Sequence, residues 1–200
     1  MYGLPPNTLI NKPLYKKAVF EKFNLKAAER DRFDADISRM ALVARVSSAT
    51  VPALTKGKEI EGFYVLQVAL KRKDYDSKNI HMLQKLIPQK MVFAMQHEEQ
   101  TQFCIFHTRL QQSEWMPTDE ATISLQGLTL DDVWNSIVAT IGGLDVQAEE
   151  SIEEQIIHRE QQEKLLRQIE SLEKLCRTEK QTRKKYELHQ QLIKLKEGLK

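Results

Sequence analysis

The sequence predicts an α+β protein of two parts. Residues 1–148 form an α+β core of two N-terminal helices and a small mixed β-α-β-β-β-α sheet, and residues 149–200 form an antiparallel helical hairpin or coiled coil. Three observations predict it. Apolar residues recur every three to four positions from Leu14 to Val46. From Glu59 to Gly127 the alternation shifts towards two. From Glu149 neither Gly nor Pro interrupts the chain until Gly198, and Glu, Gln, Lys and Leu dominate.

Each element follows in order. "LPPNTLINKP" is held extended by its prolines. Behind Pro13, the residues Leu14, Ala18, Val19, Phe20 and Phe23 make one apolar helical face. A second helix is predicted from about Lys26 to Val46, with Phe33, Ile37, Met40, Ala41 and Ala44 as its buried stripe. "SSATVPALTKGKE" reads as a connector. "GFYVLQVALKR" reads as a strand buried on both faces in its middle. Ser77 is placed to cap a short helix that carries Ile80, Leu83 and Ile87 and stops at Pro88. "KMVFAMQ" and "QFCIFHTRL" are two strands of a hairpin turned by "HEEQT", and "EATISLQG" is a weaker fourth strand. In "TLDDVWNSIVATIGG", Thr129 and Asp132 form a capping box and Gly142–Gly143 end the helix.

Beyond the core, Leu165, Ile169, Leu172 and Cys176 are spaced as a coiled-coil seam, and so are Leu188, Leu192, Leu195 and Leu199. The two seams are out of phase, which disfavours one straight zipper and places a bend near Thr178–Thr182. Charge agrees. Residues 149–173 hold 8 acids and 3 bases, residues 174–200 hold 9 bases and 3 acids, and folding the halves together pairs opposite signs.

Composition narrows the classes of function. The hydrophobic fraction of 41% is slightly low and the charged fraction of 29% slightly high, as expected for a modest core joined to a solvated helical element. The net charge of +2 hides an uneven distribution. Residues 1–58 carry 11 bases and 5 acids, residues 59–148 carry 7 and 12, and residues 149–200 carry 12 and 11. The N-terminal part alone has a balance suited to nucleic acid, through Lys12, Lys16, Lys17 and Lys22 with Lys71, Arg72 and Lys73. The two cysteines, Cys104 and Cys176, share no motif spacing, so a reducing compartment is expected. No signal peptide and no membrane span are read, and a cytoplasmic protein is expected.

No catalytic or metal residue and no cofactor is assigned. His97, Glu98, Glu99, Cys104 and His107 are ligand types, but strand alternation sends Cys104 and His107 to opposite faces. In "QVALKRK", Ala69 stands where a metal-dependent nuclease would need an acid, and Asp74 and Asp76 fall in a turn. Trp115 lies in the loop-like "SEWMP", either as a lid over the core or as an interface anchor.

"LPPNTLINK", "FYVLQVAL", "LIPQKMVFAM", "SEW" and "EKQTRKKYELHQQLIKLK" together resemble one family, the domain of unknown function numbered 4391. Gln89 departs from the more usual aromatic after the proline. The resemblance implies a bacterial protein encoded beside superfamily-2 helicases and DNA methyltransferases, in restriction-modification or anti-phage defence loci. It gives no residue a catalytic role.

The leading expectation is therefore a non-enzymatic accessory subunit that docks a helicase or methyltransferase. Leu165, Ile169, Leu172, Leu188, Leu192, Leu195 and Trp115 are its candidate partner-binding residues. The alternatives are a small DNA-binding factor using the N-terminal bases and, more weakly, a nuclease. DNA contact is otherwise expected through the partner, and self-association is left open.

Overall fold

In the computed structural model, residues 1–145, 151–179 and 181–197 are described, without the side chains of Thr182 and Glu197. The chain divides into two compact units, Met1–Gln147 and Ala148–Lys200. The 148/149 boundary expected from the sequence lies outside the described residues, as does Lys180 within the expected bend.

The first unit is α+β. A short 3-10 turn at Pro6–Thr8 leads into β1 (Leu9–Leu14), α1 (Lys16–Lys22), α2 (Ala27–Asp36) and β2 (Ile37–Ser47). Then come β3 (Gly62–Leu70), α3 (Lys78–Leu86), β4 (Lys90–His97), β5 (Gln100–Phe106), β6 (Leu110–Gln112), β7 (Met116–Pro117) and α4 (Leu130–Gly142). The strands make one mixed sheet in the order β1-β2-β3-β4-β5-β6, with β7 also on β5. β3 and β4 are parallel, from Phe63 opposite Lys90 to Ala69 opposite Gln96, and α3 makes the crossover between them. The other strand pairs are antiparallel.

Alternation along β3 assigns the two faces. Leu66, Val68 and Leu70 join Met40, Phe93 and Met95 in a core with Val19, Phe33, Ile80 and Leu83 of the first three helices. Phe63 points the other way, to Trp134 of α4, with ring centroids 5.5 Å apart. Tyr2 covers the same face at Phe103, edge-on at 5.5 Å. Gln67 and Ala69 continue that face past the reach of α4, and both are only half-buried.

Several elements differ from expectation. The predicted second helix stops at Asp36, and Ile37–Ser47 is an eleven-residue strand. Its register shifts twice, between Ile37 and Arg39 and between Leu42 and Ala44. Such bulges break a strict two-residue alternation. The apolar spacing Ile37–Met40–Ala44 then imitates a helix. Leu14 ends a strand instead of starting α1. Ser77 makes no side-chain cap; Asp76 Oδ1 accepts from the Lys78 N–H at 2.9 Å instead. "EATISLQG" keeps alternating burial, with Ala121 and Ile123 inside, but forms no strand. Its Ile123 N–H donates to the Tyr2 carbonyl at 3.0 Å. The capping box of α4 forms as read, and Gly143 adopts the left-handed conformation at φ 61°.

Between β2 and β3, the chain is tied to the start of α4. The Asp131 carboxylate accepts the N–H groups of Lys58 at 2.6 Å and Ile60 at 2.9 Å, with Glu59 at 3.3 Å. Thr55 N–H donates to the Leu128 carbonyl at 3.0 Å. The predicted connector is thus held at its end, and Gly57 is needed there: a Cβ would lie 2.0 Å from Asp131 Oδ1.

In the second unit, α5 (Ile152–Thr178) and α6 (Thr182–Glu197) are in contact. Ser151 caps α5 through the Glu154 N–H. Lys196 Nζ lies 2.8 Å from Glu173 Oε1.

Candidate interaction surfaces

The basic residues singled out in the sequence do not form one free face. Lys16 Nζ lies 2.5 Å from Asp34 Oδ1, joining α1 to α2. Lys17 meets Glu21 one helical turn on, at 3.6 Å, where both side chains are exposed and the pair adds little. Arg72 is engaged by Asp36. Lys73 Nζ donates to Gln100 Oε1 at 2.6 Å and lies 5.1 Å from the Trp115 ring centroid. Lys12, Lys22 and Lys71 are exposed, and no ion pair among the described residues engages them. They sit on β1, α1 and the turn after β3.

Asp36 is the acid that sequence reasoning missed. It is 1% exposed and fully bonded: Oδ1 accepts from Arg72 Nε at 2.5 Å, and Oδ2 accepts from the Asp76 N–H at 2.9 Å and from Asn79 Nδ2 at 2.8 Å. This network joins the start of β2 to the start of the α3 crossover. In the sequence Asp36 reads as one more acid on the solvated side of a long helix, so its burial carries no local signal. Asp74 is exposed in the same turn.

Trp115 belongs to a polar and aromatic cluster. It packs edge-on against Tyr75, with centroids 6.5 Å apart, and touches the core while remaining half-buried. The Tyr75 hydroxyl donates to Gln102 Oε1 at 2.8 Å, accepts from Gln112 Nε2 at 2.9 Å and lies 3.4 Å from Cys104 Sγ. Burial pushes the Cys104 thiol up to about 11 and raises Tyr75 further above its ordinary range. A buried, protonated thiol is a poor nucleophile. The cluster ties the loop that carries Trp115 to Tyr75 and β5. His97, Glu98 and Glu99 are the "HEEQ" turn: His97 pairs with Gln100, and Glu98 takes a left-handed φ of 52°. Among the described residues no group of three His, Cys, Asp or Glu side chains could hold a metal, and no helix is long and apolar enough to cross a membrane.

In the second unit, the seam residues are the sheltered ones. Ile169 and Leu192 are buried, and Leu165, Leu172, Leu188 and Leu195 are half-buried. Other apolar residues stay outside: Leu166 is 49% exposed, Leu175 51%, Tyr186 65% and Ile193 39%. The Lys196 ammonium beside Glu173 holds that carboxyl below its ordinary range.

The family model described as Domain of unknown function (DUF4391) matches residues 2–199. No curated protein and no solved structure matches the chain.

Proposed function

The chain belongs to the family of the domain of unknown function 4391, and from that premise we propose that it is a non-catalytic interaction subunit. Its α5 and α6 form an antiparallel hairpin that lends one side to a shared bundle with a larger partner. The partner is a superfamily-2 helicase or DNA methyltransferase of a bacterial restriction or anti-phage defence complex, and it carries the chemistry. The complex works in the cytoplasm, where Cys104 and Cys176 stay reduced.

One observation carries the reading. The seams of α5 and α6 are sheltered, while Leu166, Leu175, Tyr186 and Ile193 remain in water. Two paired helices cannot cover all of their apolar side chains, and a third surface gains from doing so at roughly 25 cal/mol per Å² of apolar area. The sheltered polar clusters of the first unit also support it, because Asp36 and Cys104 are committed to holding loops.

Co-expression with the helicase or methyltransferase encoded beside the gene tests the proposal. The two chains are expected to co-elute in size-exclusion chromatography with light scattering. Leu166→Glu with Tyr186→Glu should abolish co-elution and leave the circular dichroism of the chain unchanged. Separate elution of the native chains, or a complex indifferent to both changes, would sink the idea.

A further inference from the structure

Past the end of the sheet that α4 covers, β1, β2 and β3 enclose an open groove of about 670 Å³. Arg39 pairs with Ala69, and Ala41 with Gln67, across β2 and β3. Residues two apart on a strand share a face, so these four side chains rise together. Gln67 Nε2 donates to Gln96 Oε1 on β4. That bond uses one donor and one acceptor of the amide pair and leaves both kinds of group on offer. The same holds if both amides are turned over. Arg39 is exposed, and among the described residues nothing engages its guanidinium.

We infer that this groove binds an extended, acidic peptide segment of a partner protein. A carboxylate of the segment sits on Arg39, a backbone amide sits on the Gln67–Gln96 pair, and a small apolar side chain lies over Ala41 and Ala69. Each assignment rests on complementarity. The guanidinium fork matches a carboxylate with two parallel bonds. A peptide unit carries one N–H and one C=O, which answer the free acceptor and donor of the amide pair. The two alanines leave room for a backbone to approach. A nucleic acid fits less well, because no aromatic ring lines the groove to stack a base and Arg39 is its single cationic side chain. The outer edge of β1 does not invite an added strand. Lys12 and Pro13 stand on it, and its register slips between Leu9 and Lys12. The segment therefore lies on the face of the sheet. Nothing in this site requires α5 or α6, so it stands apart from the helical docking proposed above.

Panning the full chain against a displayed library of random dodecapeptides tests the inference. Enriched peptides should share an Asp or Glu beside small apolar residues. In fluorescence anisotropy, Arg39→Gln should weaken them roughly 10- to 100-fold, as expected for a lost charge-assisted pair. Ala69→Trp, which fills the floor, should abolish binding. Arg39 is exposed, so its replacement leaves the fold intact even if the Ala69 variant misfolds. No enrichment above background, a consensus without acids, or equal binding by the Arg39 variant would overturn the inference. So would tighter, Arg39-dependent binding of oligo-dT. Helicase co-elution is read separately in Leu166→Glu, so either reading can fail without the other.

Discussion

Arg72 Nε and Nη2 both lie 2.5 Å from Oδ1 of Asp36, across the gap between the end of α2 and the turn after β3. The guanidinium is largely in water and the carboxylate is not. The pair is thus a rim contact over a buried acceptor that also holds the Asp76 N–H and the Asn79 amide. Asp36→Ala would leave those two donors unmatched. We expect a loss of about 2–3 kcal/mol, the range for hydrogen bonds to a charged group, discounted for the exposed Arg72. Urea unfolding of the variant should show a lower midpoint with an unchanged slope. An unaltered midpoint would mean that the network contributes nothing net.

The tie at Asp131 makes a coupled prediction. Asp131→Ala removes the acceptor for the N–H groups of residues 58–60; Lys58 and Glu59 are exposed enough to turn to water while Ile60 is buried, so the cost should be about 1–2 kcal/mol. Gly57→Ala should cost a similar amount by driving a Cβ into that carboxylate. In the double variant the clash is gone, and the two losses should not add. Additive losses in a thermal-melt cycle would show that Gly57 matters for another reason.

Thiol chemistry should separate the two cysteines. Cys104 is buried with its thiol pushed up to about 11, so at pH 8 only about one in a thousand molecules carries the thiolate. Cys176 is partly accessible. One thiol per chain should react with Ellman's reagent in the native protein, and the second only in denaturant. Tyr2, pushed up to about 12, and Tyr75 move in the same direction as Cys104 because burial disfavours their anions. An acid with a raised folded pKa stays protonated longer in the folded chain. Its contribution is complete below the unfolded value and is lost as pH climbs from about 9 to 11 for the thiol. Stability measured across that window should fall, and Cys104→Ala should flatten part of the fall.

For the second unit, Leu172→Ala with Leu192→Ala should loosen the pairing of α5 and α6. Leu192 is buried, and truncating such a side chain typically costs ~2–5 kcal/mol, with half-buried Leu172 towards the low end. Amide exchange within 152–197 should quicken while the sheet of the first unit stays protected. Spin labels at Arg167 and Lys194 report the same pairing. A separation near ~40 Å, which ~1.5 Å of rise per residue gives for one straight helix, would contradict the hairpin.

The Glu173–Lys196 pair should respond to acid. Glu173 is held below its ordinary range by the Lys196 ammonium, so its contribution is present above the ordinary carboxylate value and disappears as pH falls through the depressed one. Because the pair is open to water on the exposed Lys196 side, salt should mask the effect. Helicity of the isolated Lys196→Ala difference, followed by circular dichroism from pH 7 to 3, should shrink towards zero at the acid end. A difference that persists there would point to packing of the lysine stem instead.

What the sequence revealed follows from how local each signal is. The capping box at Thr129–Asp132 and the turn at Glu98–Glu99 lie within a few residues, and both were legible. β2 was not, because its two bulges convert an alternating strand into a spacing of three and four. That one misreading hid two further features. Asp36 was assigned to a helix surface when it terminates the helix inside the protein. Arg39 lies outside the apolar stripe of a Lys26–Val46 helix, and only a strand at Ile37–Ser47 sets it beside Ala69 on a sheet face. The carboxylate partners of Lys16 and Arg72 lie far along the chain and are identified only by folded geometry, whereas Lys17 meets Glu21 one helical turn on.

The two ends of the sheet have a consequence for the protein in crowded solution. At one end, β1 presents Lys12, Pro13 and a slipped register; at the other, β6 is three residues long and β7 takes part of β5. Neither margin offers a long row of open backbone groups on which another chain could template a strand. Among the described residues the sheet is thus a poor template for fibrous growth, and association of copies is expected to run through side chains.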